Sequence, residues 1–174
     1  MGAIARLAVA ATLTAGMFLA AAGAASADTP PGTSGQGTSA GGFTFIINVV
    51  AQPDGSGEGT FEYHPIVGGT DLNIQCRDFK KYVGTRTNDG APKSISNSTN
   101  CFGTDATGAQ VHYYVHVEAT DRGPGIGVAV PASAPKVDTL CVNVKVFPGR
   151  LHPEPVVKDC GPIQAGDIGI VLPS

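Results

Sequence analysis

Four side chains capable of chemistry alternate along one short run: His112, Tyr114, His116 and Glu118. Imidazole and carboxylate groups bind zinc or copper, so a metal site is the first reading to weigh. In a strand, residues two apart share a face and lie roughly 7 Å apart, which puts His112 and His116 roughly 13 Å apart, too far to share one ion. His116 and Glu118 are close enough, but they need a third ligand from another strand, such as His64. The plainer reading is a solvated sheet face on which His and Tyr pair across strands. Tyr114 is the candidate binding residue on that face.

Asp105, Asp121 and Asp138 fall near expected loops. Calcium takes about six oxygen ligands, and a structural calcium ion would bridge the ends of the long excursion at Asp121 and Asp138. Turn formation accounts for Asp at these positions equally well. No motif calls for any other cofactor. Nucleophilic catalysis finds no Cys/His pair free of the presumed disulfides, and there is no His-Glu-x-x-His. Glycoside hydrolysis needs two carboxylates at a set separation, and Glu62 with Glu118 is the pair that could meet across strands. A sugar-binding face would rely on aromatic platforms. The chain has no Trp, which leaves Tyr63, Tyr82, Tyr113 and Tyr114.

The four cysteines, Cys76, Cys101, Cys141 and Cys160, show no Cys-x-x-Cys spacing. An even count in an exported chain reads as two disulfides. Three connectivities are open. Cys76–Cys101 and Cys141–Cys160 are favoured because each pair falls in neighbouring expected strands, and each bridge would contribute about 3 kcal/mol through chain entropy.

The elements that must position these groups are strands. In Val111–Glu118, Val111, Tyr113, Val115 and Val117 alternate with polar residues, and in Asp138–Phe147 Leu140, Val142, Val144 and Val146 do the same. Such alternation marks half-buried strands, here a central hairpin. Further strands are expected at Phe43–Val50, Gly59–His64, Leu72–Cys76, Val156–Cys160 and Asp167–Leu172, with shorter pieces within 80–88 and 94–107. Ile95 and the Cys101-Phe102 pair are expected to anchor the last of these segments. No amphipathic helix is legible after Asp28. The pattern predicts an all-β fold, an antiparallel β-sandwich or flattened barrel of about seven to nine strands. The connection at 121–137 spans roughly seventeen residues, where about two to five are usual. It carries Ile126, Val128 and Val130, candidate binding residues on a loop.

Residues 1–27 have the make-up of a signal peptide: Arg6, an apolar run Leu7–Ala22, and Ala25-Ser26-Ala27 before the expected cleavage. Residues 28–42 contain no large apolar side chain and read as a flexible linker. Residues 43–174 are then the β domain. The formal charge is −3 and the basic residues are scattered, which argues against nucleic acid or an anionic membrane as partner.

The order of pieces resembles the post-COAP-1 domains of secreted bacterial proteins. The matching residues are Phe43 and Phe45; Gly59, Phe61, Tyr63 and His64; Cys101 and Gly103; Val115, Val117, Asp121, Gly123, Pro124 and Gly125; Asp138 and Thr139; and Gly166, Asp167 and Ile168. The chain departs from that pattern by inserting 126–137 and by carrying Asp167 where Asn is commoner. The resemblance implies a secreted β domain and no particular reaction. The expectation is a secreted, extracellular, non-catalytic domain that binds a protein or a cell-envelope component. The alternative is a secreted hydrolase with a carboxylate site.

Overall fold

The computed structural model describes residues 30–123, 137–147 and 156–172. The leader segment at 1–27 and the loop positions Ile126, Val128 and Val130 lie outside these residues. Among the described residues there are twelve strands and no helix. They are β1 (Gly32–Thr38), β2 (Thr44–Ala51), β3 (Gly57–His64), β4 (Ile66–Val67), β5 (Thr70–Asp71) and β6 (Ile74–Phe79), then β7 (Lys81–Arg86), β8 (Pro92–Thr104), β9 (Gln110–Thr120), β10 (Thr139–Val146), β11 (Val157–Pro162) and β12 (Ala165–Val171). Nine of them follow one another in the antiparallel order β11-β10-β9-β8-β6-β3-β2-β1-β12, and β7 pairs with β8 beside that path. The sheet curls into an all-β half-barrel. β4 and β5 form a separate small hairpin.

The expected central hairpin is β9–β10, with Val142 opposite Val117 and Val144 opposite Val115. Tyr113, Val115, Val117, Leu140, Val142 and Val144 are all buried on the concave side. There they meet Phe45, Ile47, Phe61, Tyr63 and Ile74 from the other half of the sheet. On β8 the inward positions are small and polar: Ser94, Ser96 and Ser98 are buried. Small side chains let the opposite wall come close. Thr33 of β1 crosses the interior to donate its hydroxyl hydrogen to Ser94 Oγ at 2.7 Å, and it lies 2.9 Å from the Tyr82 hydroxyl. Buried hydroxyls need such partners.

The flexible linker expected at 28–42 is corrected here. Residues 32–38 form β1, a full strand paired on one side with β2 and on the other with β12. The lack of apolar side chains does not prevent ordering, because ladder hydrogen bonds on both sides hold this strand. Its glycines are required by crowding. A Cβ on Gly35 would stand 2.4 Å from the Asp167 carbonyl oxygen, and one on Gly37 would stand 2.1 Å from that of Ala165.

The free edge of β12 is closed by side chains. The N–H groups of Ile168 and Ile170 point away from β1. Ile168 donates to Asp138 Oδ2 at 2.9 Å, and Ile170 donates to Asp121 Oδ2 at 3.1 Å. Asp121 follows β9 and Asp138 precedes β10, so the two carboxylates tie the edge strand to the base of the central hairpin. A further buried link crosses the core. Asp159 of β11 accepts the Tyr63 hydroxyl at 2.7 Å and the Gly41 N–H at 2.8 Å. Burial first, and then Asp159, push the Tyr63 hydroxyl well above the usual phenol range.

Both favoured disulfides form, each between directly opposed residues: Cys76–Cys101 joins β6 to β8, and Cys141–Cys160 joins β10 to β11. Cys76 and Cys101 are buried in the core, whereas Cys160 is exposed and Cys141 half-buried on the outer face. Reduction follows access to the bond. Mild reductant without denaturant is therefore expected to open Cys141–Cys160 first and to leave Cys76–Cys101 intact until unfolding. Alkylation with peptide mapping reads this order directly. Equal labelling of all four cysteines in the folded protein would contradict the assignment.

Candidate functional site

The outer face of β9 carries the run that first suggested a metal. Both ring nitrogens of His116 already have partners: Nδ1 faces Asn97 Oδ1, and Nε2 lies 3.1 Å from Glu118 Oε1. Glu118 in turn accepts Lys93 Nζ at 2.7 Å. The hydrogen bond from Lys93, followed by that from His116, holds the Glu118 carboxyl below its usual range. His64 pairs elsewhere, with Asp71 at 3.0 Å. Among the described residues no three His, Cys, Asp or Glu side chains gather in a way that could hold an ion. The arrangement is a hydrogen-bonded surface network, and exposed pairs of this kind contribute about 0–1 kcal/mol.

The Glu62–Glu118 pair does not meet. Glu62 lies on β3, and β6 and β8 stand between it and β9. Registers put Glu62 in line with Gln75, Phe102 and His112, six residues from Glu118 along β9. The separation is roughly 14 Å across the sheet and roughly 20 Å along it, well beyond what a glycosidase pair spans.

Asp121 and Asp138 come together at the β12 edge, but all four of their oxygens are engaged. Besides the bonds to Ile168 and Ile170, Asp138 Oδ1 accepts Arg122 N–H at 2.7 Å and Asp121 Oδ1 accepts Gly123 N–H at 3.1 Å. Each of the four oxygens accepts one N–H group, so the pair caps the edge of β12 and closes the turn at Arg122 and Gly123. Asp138 is fully buried. Burial raises its pKa to about 6; its two N–H donors oppose this, and the nearby charges of Asp121 and Asp167 add to it.

The feature that stands out lies on the same outer face, where β6, β8 and β9 adjoin. β8 carries a bulge between Ser98 and Cys101, so that Thr99 and Asn100 together oppose Tyr114. Bulges of this kind bend a strand and re-aim its side chains. Serine 98 fixes the bulge: its hydroxyl lies 3.0 Å from the Arg77 carbonyl and 3.1 Å from that of Asp78, and it accepts Asn100 N–H at 3.0 Å. Beside the bulge runs a groove of about 560 Å³ lined by Asn73, Gln75, Arg77, Asn100, Phe102 and Gln110, among others. Phe102 is 54% exposed. It stacks on His112 with ring centroids 4.6 Å apart, and Phe147 meets His112 edge-on at 4.9 Å.

Of the expected binding residues, Tyr114 sits half-buried on this face, opposite the bulge and directly across from Lys145. It does not line the groove. Of the residues expected to anchor segment 94–107, Cys101 is buried in the core, Ile95 is half-buried, and Phe102 faces out. The signal was present in the sequence: a bridging Cys101 must face the core, and strand alternation then turns its neighbour to the outside. Compared with known protein families, with curated proteins and with solved structures, the chain shows no significant match.

The buried Asp138 makes a pH prediction. Its folded pKa of about 6 lies above the unfolded value of about 3.9. The folded state therefore binds the proton more tightly, and this contribution to stability is full below about pH 4 and is lost as pH rises through about 6. Urea denaturation of the wild type and of Asp138→Asn from pH 4.5 to 7.5 is expected to show a wild-type advantage that shrinks as pH rises. An advantage that grows with pH would contradict the assignment.

Proposed function

We propose that this chain is an exported, non-catalytic domain that binds a cell-envelope component or extracellular protein through the outer face around Phe102 and Tyr114. The observation that carries the reading is the half-exposed Phe102, stacked on His112 at the wall of a groove. An exposed aromatic anchor beside a cleft is a common source of binding energy. Its scaffold favours rigidity, because the residue before it is bridged to Cys76 in the core. Export is supported by the leader-like composition of residues 1–27 and by two disulfides, which fit an oxidising compartment.

Purified chain starting at Asp28 is expected to co-sediment with the isolated envelope of the producing cells. Phe102→Ala should weaken retention by about tenfold, while Ile66→Ala, at an exposed residue on the separate small hairpin, should not. Equal melting temperatures would show that the fold is intact. Absence of wild-type retention, or retention indifferent to Phe102, would overturn the reading.

A further inference from the structure

We infer that the groove beside Phe102 takes a polysaccharide chain, with a sugar ring packed on Phe102 and its hydroxyls held by the amides of β6 and β8. The inference rests on the outer face being a binding surface, and it names the class of ligand. One face of the Phe102 ring is covered by His112 from β9, and the other looks toward β6 and the groove. A pyranose offers complementary chemistry: a flat patch of C–H groups for the ring, rimmed by hydroxyls that both donate and accept.

The polar wall suits such a rim. A side-chain amide carries a donor and an acceptor in one fork, and a guanidinium supplies several donors. Gln75 and Gln110 make no side-chain hydrogen bond among the described residues, and Arg77 makes no ion pair among them. Asn100 gives one N–H to Asp78 at 3.2 Å and keeps its amide oxygen for a ligand. A protein-docking surface would place apolar residues around the aromatic anchor and deplete charge there. Here the cross-strand neighbours of Phe102 on the β6 side are Gln75 and then Glu62.

The shape favours a chain over a single sugar. The groove runs beside β6 from Asn73, just before the strand, to Arg77 and abuts, at Asn100, a second cleft of about 760 Å³ lined by Gln52, Asp54, Glu58, Asp78 and Lys80 among others. From Ile74 to Phe79, β6 spans roughly 17 Å.

The test uses protein-free polysaccharide, prepared from the producing cells' envelope by protease digestion and lipid extraction, in co-sedimentation with the purified chain. The wild type should be retained, and oligosaccharides from partial acid hydrolysis of the same polymer should compete. Phe102→Ala should weaken binding by about tenfold and Gln75→Leu by several-fold, both with unchanged melting temperature. Gln75→Leu separates the possibilities, because a site built for an apolar partner would bind more tightly with leucine there. Retention by whole envelope but not by stripped polysaccharide would overturn the glycan inference and leave the binding reading standing. Retention by neither would overturn both. Undiminished binding of Gln75→Leu to the polysaccharide would also overturn the inference.

Discussion

Two carboxylates, the buried Asp138 and the half-buried Asp121, hold the edge of this sheet. A curled antiparallel sheet that does not close on itself ends in strands with unpaired N–H and C=O groups, which invite pairing with other chains. At β12 the unpaired N–H groups of Ile168 and Ile170 are met by Asp138 and Asp121. The same carboxylates also hold the chain at Arg122 and Gly123, where it leaves the central hairpin. Desolvating Asp138 has a cost, which is visible in its raised pKa. Four N–H donors divided between two carboxylates offset much of that cost. Asp121, Gly123, Asp138 and Ile168, far apart in the sequence, converge on this one place.

With the edge secured, the interior can be thin at one end and the outer face left free. The buried serines of β8 and the glycines of β1 allow close approach of opposite walls, and Thr33 bonds across the gap. The Cys76–Cys101 bridge lies in the core directly beneath the outer row. The side chains above it, Gln75 and Phe102, therefore stand on a backbone that cannot shift easily. A groove built on a disulfide-linked pair of strands is pre-organised, which lowers the ordering cost of binding.

What could be read from the sequence follows from which forces leave a one-dimensional trace. Alternation at 111–118 and 138–147 reports burial on one face, and it placed β9 and β10 with Tyr113, Val115, Val117, Leu140, Val142 and Val144 inward, while Val111 is half-buried and Val146, at the strand end, is exposed. Cysteines in neighbouring strands reported their own pairing. β1 left no such trace, because ladder hydrogen bonds and close backbone approach hold it, and neither requires an apolar side chain. The roles of Asp121 and Asp138 were hidden for a similar reason: their partners are backbone N–H groups of a strand far away in sequence. The Glu62–Glu118 pair failed because strand order cannot be read from alternation, and two strands lie between them. Phe102 could have been found, since an inward Cys101 turns its neighbour outward.

The most direct test of this account is native-state amide hydrogen exchange at Ile168 and Ile170, followed by NMR in the wild type, Asp138→Ala and Asp121→Ala. The account predicts slow exchange at both amides in the wild type. Protection should be lost at Ile168 in Asp138→Ala and at Ile170 in Asp121→Ala, while the amides of Val115 and Val142 remain protected. Fast exchange at both positions in the wild type, or protection indifferent to the two substitutions, would contradict carboxylate closure of the β12 edge.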